Sequence, residues 1–149
     1  MMRATAFCDG GVRNGNPGPY ACAVVIYSEE TGIGHQEAVY LGDHGSNNAA
    51  EYEGLILALK IARQLQITHL TVRLDSKLVV EQVLGNWRVK EPTLQPYVDR
   101  ARELAARFDE VKISHVPREE NAVADALCTT LLDEKVGKRR GEPRALQLA

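Results

Sequence analysis

The sequence predicts an α/β fold, a five-stranded mixed sheet with helices on both faces. Two observations lead to it. Three mostly apolar runs near the N-terminus are separated by glycine, asparagine and proline, which is typical of strands joined by turns. After residue 46, segments with apolar residues at helical spacing alternate with two more short apolar runs. Strands followed by βα units imply antiparallel pairing first and parallel pairing afterwards.

The first three strands are short and bounded by turn residues. The first, RATAFCD over 3–9, ends at Asp9, and the second, YACAVVIYS, covers 20–28. GIGHQEAVYLG contains the third, over 33–41. Because the three lie close together in the chain, an antiparallel meander is the simplest connection between them.

The pattern then changes to a helical period. In NNAAEYEGLILALKIARQLQ, apolar residues including Tyr52, Leu55 and Leu59 recur on one face, which predicts a helix over 47–66. HLTVRLD, over 69–75, is the fourth strand. SKLVVEQVLG then predicts a short helix that ends at Gly85.

The remaining elements complete the order βββαβααβα. A further helix begins near Thr93, EVKISHV at 110–116 is the fifth strand, and REENAVADALCTTLLDE at 118–134 is the last helix. We predict one domain over 1–134. The basic segment 135–149 has no clear period and is expected to be a flexible, solvated tail.

The composition excludes some classes of protein. No apolar run approaches the ~20 residues that span a bilayer, and the N-terminus lacks a secretory signal, so we expect no membrane association. The three cysteines form no CxxC pair, which favours a reduced compartment and predicts a cytoplasmic protein. The four histidines show no zinc-ligand spacing. A net charge of −2 neither indicates nor excludes nucleic acid as a partner.

Four acidic residues occupy places that can converge. Asp9 and Asp75 end the first and fourth predicted strands, which can lie parallel and adjacent, and ligands of α/β sheets usually bind at such an edge. Glu51 lies in the first turn of the long helix. Asp125 flanks the apolar stripe of the last helix.

Each acid also has a purely structural explanation. Asp75 fits a helix N-cap, Asn48 and Glu51 fit a capping box, Asp9 fits a turn before two glycines, and Asp125 fits a solvated helix position. Taken together these explanations weaken, because clustered carboxylates repel unless a cation lies among them. Oxygen ligands suit Mg²⁺ or Mn²⁺, and several carboxylates can hold two such ions.

Four motifs give the sequence a resemblance to a known family. CDGGVRNGNPG, NNAAEYEGL, LDSKLVVEQV and VPREENAVADAL, in this order, resemble type 1 ribonuclease H over about residues 3–132. The resemblance implies a ribonuclease H-like fold in a short-loop form without the basic protrusion. It further implies an endoribonuclease that cuts the RNA strand of RNA/DNA hybrids, leaving 3′-hydroxyl and 5′-phosphate ends.

The resemblance also implies a cofactor and an assembly state. Asp9, Glu51, Asp75 and Asp125 match the family's four catalytic acids. By similarity Asp9 bridges two Mg²⁺ ions, Glu51 and Asp75 help to hold one of them, and Asp125 holds the other, with Mn²⁺ as a substitute. Hydrolysis would follow a two-metal mechanism. We expect no organic cofactor and a monomer.

Further positions match residues that contact the hybrid. Asn16, Asn47 and Asn48 correspond to residues in the minor groove, where an amide can read a 2′-hydroxyl, although Asn16 also fits a simple turn residue before Pro17. Ser46 corresponds to a contact with a DNA phosphate. The remaining candidates are Gly10 and Gly11, which allow close approach of the backbone, and Lys77, where the family often has glutamine.

Two departures from the family bear on the site. Many members carry a histidine in a longer loop before the last acid, whereas His115 falls inside the predicted fifth strand. Arg118 or Glu119 is the nearest substitute, and we favour Arg118 because it can bind phosphate. The basic protrusion of some members is missing here. We expect Trp87, Arg88 and Lys90 to form a reduced version of it that contacts the DNA strand.

Other functions remain open at this stage. An exonuclease of the same fold commonly has an Asp-x-Glu pair on the first strand, where this chain has Asp9-Gly10-Gly11. A hybrid-binding module with an inactive site needs a defect that the sequence does not reveal. The chain can also be one domain of a reverse transcriptase or a bifunctional enzyme, although its initial methionine favours a stand-alone protein.

Overall fold

A computed structural model describes residues 2–32 and 34–137. The strands are β1 (Arg3–Val12), β2 (Gly18–Ser28), β3 (Gly34–Gly45), β4 (His69–Leu74) and β5 (Glu110–His115). The helices are α1 (Asn47–Gln64), α2 (Lys77–Val83), α3 (Gln95–Ala105) and α4 (Ala122–Val136). Short 3₁₀ turns at Pro92–Leu94 and Arg118–Asn121 precede α3 and α4. The predicted order of elements is confirmed.

The five strands form one mixed sheet in the order β3-β2-β1-β4-β5. β2 pairs antiparallel with both β1 and β3. β4 pairs parallel with both β1 and β5. The predicted neighbours β1 and β4 therefore lie side by side and point the same way, which confirms the predicted fold class.

Helices cover both faces of the sheet. Alternate residues of β2 enter different clusters, because successive side chains of a strand point to opposite faces. Val24 and Ile26 pack with α1 in the main core, whereas Ala21 and Ala23 pack against Cys128 of α4. The small alanines let α4 lie close to the sheet, and α4 carries Asp125 toward the edge where the acids are predicted to meet.

The first strand is longer than predicted, so the expectation that it ends at Asp9 is wrong. β1 continues to Val12. From Asp9, which lies opposite Ala23, to Val12, which lies opposite Tyr20, it pairs only with β2. Its pairing with β4 stops at Phe7 opposite Arg73. The glycines at 10 and 11 reduce strand propensity, but pairing with β2 outweighs it. Asp9 consequently lies just beyond the last residue paired with β4.

The other boundaries differ by a few residues. β3 runs to Gly45 instead of residue 41, and α4 includes Lys135 and Val136, which had been assigned to the tail. The rest of the predicted tail, 138–149, lies outside the described residues. Within the described part of the chain, no helix combines the length and apolar character needed to cross a membrane.

Candidate active site

Two glycines bring the backbones of β1 and α1 into direct contact. A Cβ on Gly10 would lie 2.1 Å from the carbonyl carbon of Ala50, and a Cβ on Gly54 would lie 2.7 Å from the carbonyl oxygen of Asp9. Any larger residue would force strand and helix apart. This close approach places Asp9 of β1 beside Glu51 of α1.

The side chain of Glu51 is held by the strand and not by its own helix. The backbone N–H of Gly10 donates to Glu51 Oε1 at 3.2 Å. Ser46 is the N-cap of α1, and its hydroxyl accepts from the N–H of Ala49 at 3.0 Å. The capping-box explanation for Asn48 and Glu51 is therefore wrong, and Glu51 belongs to the cluster of acids.

The third acid lies between β4 and α2. Asp75 directly follows the last residue of β4, and the N-cap of α2 is Ser76, whose hydroxyl accepts from the N–H of Val79 at 3.3 Å. Since Ser76 makes the cap, the carboxylate of Asp75 is not needed for it. The N-cap explanation for Asp75 is wrong as well.

Three of the four predicted acids meet closely. One carboxylate oxygen from each of Asp9, Glu51 and Asp75 lies within 4.8 Å of the others. All three line a cleft of about 320 Å³, and Asp125 lines it from α4 without belonging to the tight group. Asp9 and Glu51 are each only 5% exposed.

The electrostatics of the cleft oppose the negative charge of its acids. Burial raises the pKa of Asp9 to about 7, and the nearby charges of Asp75 and Asp125 act in the same direction. Burial likewise raises the pKa of Glu51 well above its usual value, helped by the charge of Asp9. Burial also raises the pKa of Asp75, although a hydrogen bond from Asn121 lowers it in part.

These residues fit a divalent cation. Glu51 Oε2 is buried and has no hydrogen-bond partner among the described residues, so it is an acceptor without a donor. Buried polar atoms normally have a partner, and a cation satisfies an anionic oxygen as a donor would. A group of only carboxylate oxygens suits the hard ions Mg²⁺ and Mn²⁺.

Arg118 lies at the rim of the cleft. Its Nη2 is 3.8 Å from Asp125 Oδ1, and its side chain is mostly exposed. The guanidinium also lowers the pKa of Asp75, against the larger effect of burial. Arg118 thus brings a positive charge to the cleft, whereas Glu119 does not line it.

The predicted substrate residues form a second group beside the acids. Asn16 Oδ1 accepts from the backbone N–H of Asn47 at 2.9 Å, which joins the loop after β1 to the start of α1. Asn47 lines the acidic cleft with Gly10 and Gly11, and Asn48 lines a neighbouring groove of about 690 Å³. The amide of Asn16 therefore does more than form a turn.

The neighbouring groove contains the residues that replace the missing protrusion. Trp87, Arg88 and Lys90 line it, and Trp87 is 45% exposed. Lys77 Nζ lies 5.9 Å from the centroid of the Trp87 ring. Lys77, a candidate substrate contact, therefore lies next to the exposed indole ring of Trp87.

One residue of the site was missed by the sequence analysis. Asn121 is 1% exposed, and its Nδ2 donates to the backbone carbonyl of Cys8 at 2.8 Å. It also makes the hydrogen bond that lowers the pKa of Asp75. The available signal was its place four residues before Asp125, on the same helical face, within a polar run that we assigned to a helix.

Comparison with known proteins supports this geometry. The model of the family described as reverse transcriptase-like matches residues 7–131. Ribonuclease HI of Halobacterium salinarum is 42% identical over 132 residues, which cover 89% of this chain and 65% of that protein. A bifunctional protein of Mycobacterium tuberculosis is 39% identical over 132 residues, with 89% of this chain and 36% of its own length covered. The chain thus spans less than two thirds of either curated relative.

Solved structures match over nearly their whole length. The crystal structure of ribonuclease H1 from Halobacterium salinarum superimposes with a TM-score of 0.84 at 41% identity, covering 89% of this chain and 98% of that one. A ribonuclease H1 named LC11, crystallised in complex with an RNA/DNA hybrid, gives a TM-score of 0.80 at 35% identity, covering 88% and 97%.

Proposed function

The chain belongs to the ribonuclease H family, and from this membership we propose that it is an endoribonuclease that hydrolyses the RNA strand of RNA/DNA hybrids. The products are expected to carry 3′-hydroxyl and 5′-phosphate ends. Two relatives support the substrate and the reaction, one by its name, ribonuclease HI, and one by its crystallisation with such a hybrid.

The observation that carries the proposal is the convergence of three buried carboxylates. Oxygens of Asp9, Glu51 and Asp75 lie within 4.8 Å of one another, at a cost in repulsion and lost hydration. We propose that these three, with Asp125 beside them, hold two Mg²⁺ ions. Bound divalent cations supply Lewis-acid stabilisation of the charge that develops during displacement at phosphorus.

The other residues of the cleft are proposed to position the substrate. The guanidinium of Arg118 offers several N–H donors to a phosphate at the rim. Asn16, Asn47 and Asn48 present amides to the minor groove, where 2′-hydroxyl groups distinguish RNA from DNA. Gly10 and Gly11 line the cleft, where their backbone is proposed to face the RNA strand, and the hydroxyl of Ser46 lies at the start of the same helix.

The DNA strand is proposed to lie along the neighbouring groove. Lys77, Arg88 and Lys90 bring positive charge to a surface that also exposes the ring of Trp87. The cations suit backbone phosphates, and the ring suits a sugar or a base. We also propose a monomeric, cytoplasmic protein, and the buried, unpaired state of Cys8, Cys22 and Cys128 supports a reduced compartment.

A cleavage assay tests the proposed function. The protein is incubated with internally labelled RNA/DNA, RNA/RNA and DNA/DNA duplexes, each with Mg²⁺ and with EDTA. We expect cleavage of RNA/DNA alone, only with Mg²⁺, and fragments of several lengths from the first time points. Mononucleotide products from one end would instead identify an exonuclease, and binding without cleavage would identify an inactive module.

Matched variants test the assignment of the acids. Asp9→Asn keeps the shape of the side chain and removes its charge, so we expect cleavage to fall by at least about 10³-fold, the scale of losing a main electrostatic contribution. Asp99→Asn makes the same change on the exposed surface of α3 and should leave the rate unchanged. Equal rates for the two variants would remove Asp9 from the site.

A further inference from the structure

Asn121 links the supports of two acids and lies near a third. Its Nδ2 donates at 2.8 Å to the carbonyl of Cys8, the residue before Asp9 in β1. It is the residue from which α4 begins, one helical turn before Asp125. Its amide also lowers the pKa of Asp75. The side chain is 1% exposed.

The amide group suits this place better than other side chains do. Its NH₂ donates to the Cys8 carbonyl and carries a second proton that remains available to a nearby acceptor. Because the group is neutral, it ties β1 to the start of α4 without competing with a cation for the carboxylates. A lysine or arginine would compete, and an aspartate would add a further repelling charge.

The orientation of the amide has a cost for stability. With Nδ2 donating to the Cys8 carbonyl, Asn121 Oδ1 is buried and has no partner among the described residues. An unpaired buried acceptor costs about 1–3 kcal/mol. An apolar residue of similar size would avoid that cost, but it would leave the buried Cys8 carbonyl without this donor.

We propose that Asn121 is a positioning residue that fixes Asp9 and Asp125 relative to one another, so that the acids form a single cation-binding site. This inference rests on the proposed function, because it concerns the site of the same reaction. Hydrogen bonds of this kind, made by groups just outside the ligands of a metal, typically change metal affinity by 10–100-fold when they are lost.

The test measures Mn²⁺ binding in the absence of nucleic acid. Free Mn²⁺ is followed by its electron paramagnetic resonance signal while it is titrated into wild type, Asn121→Ala and Asn121→Leu. We expect both variants to bind about 10–100-fold more weakly than wild type. Asn121→Leu removes the donor to Cys8 as well as the unpaired oxygen and keeps most of the volume, so we expect it to be more stable than Asn121→Ala without binding Mn²⁺ more tightly.

Tyr52→Phe is the matched control. It removes the buried hydrogen bond from Tyr52 to Gln82 Oε1, 2.6 Å long, in the contact between α1 and α2. We expect it to lower the unfolding temperature and to keep wild-type Mn²⁺ affinity. With the hybrid and saturating Mg²⁺, the Asn121 variants should lose kcat with little change in KM, since Asn121 does not reach the substrate.

A measurement on the wild type removes any dependence on the folding of the variants. The side-chain amide resonances of Asn121 should be protected from exchange in the free protein and should shift on titration with Mg²⁺. Unshifted resonances at saturation, or variants that bind Mn²⁺ as tightly as wild type, would overturn the positioning role. A wild type that binds no Mn²⁺ would instead refute the proposed cation site itself.

Discussion

The surroundings of Asp9 disfavour the negative charge of its carboxylate. The side chain is 5% exposed, and burial together with neighbouring carboxylates raises its pKa from about 3.8 to about 7. Without a cation, ionisation of Asp9 works against the folded state. This destabilisation falls at the proposed metal ligands, and strongly shifted pKa values commonly cluster at functional sites.

The shifted pKa of Asp9 has a consequence for stability without metal. Between about pH 3.8 and 7 the folded protein holds this proton more tightly than the unfolded chain does. The stabilisation of the folded state by protonated Asp9 is therefore complete below pH 3.8 and is lost as pH rises through 7. In EDTA, we expect ionisation of Asp9 to lower the free energy of unfolding by about 3 kcal/mol between pH 5 and pH 8, because pH 5 lies two units below its folded pKa and each unit is worth about 1.4 kcal/mol.

Urea denaturation at the two pH values checks this. Asp9→Asn cannot ionise, so its stability should change much less over the same interval and should exceed that of the wild type at pH 8 in EDTA. Equal pH dependence of the two proteins would show that Asp9 is not the group that titrates.

Gly54 is a second residue whose role follows from one distance. Alanine favours helices over glycine by about 1 kcal/mol, so Gly54→Ala on α1 would ordinarily stabilise. Here the new Cβ would lie 2.7 Å from the carbonyl oxygen of Asp9, and strand and helix must separate. We expect a net loss of about 1–3 kcal/mol, measured by thermal unfolding.

Gly11→Ala is the control for Gly54→Ala. Its Cβ would meet Cys128 Sγ at 3.6 Å, an ordinary van der Waals distance. Its stability should stay within about 0.5 kcal/mol of wild type, the range of substitutions that disturb no special feature. A Gly54→Ala protein as stable as Gly11→Ala would mean that β1 and α1 do not touch as described.

At the level of elements, α4 is tied to the end of β1 by a buried arginine. Arg13 Nη1 lies 2.6 Å from Asp133 Oδ1 and also donates to the carbonyl of Gly137 at 2.7 Å. The arginine side chain is 2% exposed, so the carboxylate of Asp133 compensates its positive charge in place of water. The tie holds the helix that carries Asp125 against the loop that carries Asn16.

Neutralising the carboxylate tests this tie. Asp133→Asn leaves a buried guanidinium without its counter-charge, and we expect a loss of about 3 kcal/mol in urea denaturation. Adding Arg13→Met to that variant removes the unpaired charge, so the double variant should be more stable than Asp133→Asn alone. A double variant that loses the sum of the two single effects would indicate that the groups do not interact.

The elements show where sequence patterns were sufficient and where they were not. The helical period of α1 and the apolar runs of β4 and β5 predicted their types and order, since each pattern belongs to the element itself. The extension of β1 past Asp9 and the partner of Glu51 were missed, because both depend on contacts with distant segments, β2 and Gly10. Local signals for turns and caps, at Asp9 and Asn48, were outweighed by those contacts.

The same distinction holds within the site. Asp9, Glu51, Asp75 and Asp125 were identified because the predicted elements allowed them to converge and because their motifs resemble those of a known family. Asn121 was not identified, because a single amide in a polar run has no period, and its place in the motif VPREENAVADAL did not by itself indicate a role. Its importance becomes apparent only when β1, β4 and α4 are assembled.

For the whole molecule, a net charge of −2 means that affinity for nucleic acid must come from a local arrangement of cations. Arg88 and Lys90 line the groove, Lys77 lies beside the Trp87 ring of that groove, and Arg118 stands at the rim of the cleft. If these four neutralise about four phosphates, the logarithm of the binding constant should fall with the logarithm of salt concentration with a slope of about −4.

Fluorescence anisotropy with a labelled hybrid checks the slope. Asp9→Asn in EDTA prevents cleavage during the titration. Replacing both Arg88 and Lys90 with alanine should reduce the slope to about −2, whereas Arg100→Ala, on the exposed surface of α3, should leave it unchanged. A slope insensitive to Arg88 and Lys90 would place the DNA strand elsewhere.

The central claim is that acids from separate parts of the fold share divalent cations in one cleft. The most direct measurement is an anomalous difference map from crystals soaked in Mn²⁺. We expect one peak at about 2.1 Å from oxygens of Asp9, Glu51 and Asp75, and a second about 3.5–4 Å away beside Asp125. Carboxylates that point apart, or peaks bound only elsewhere on the protein, would contradict it.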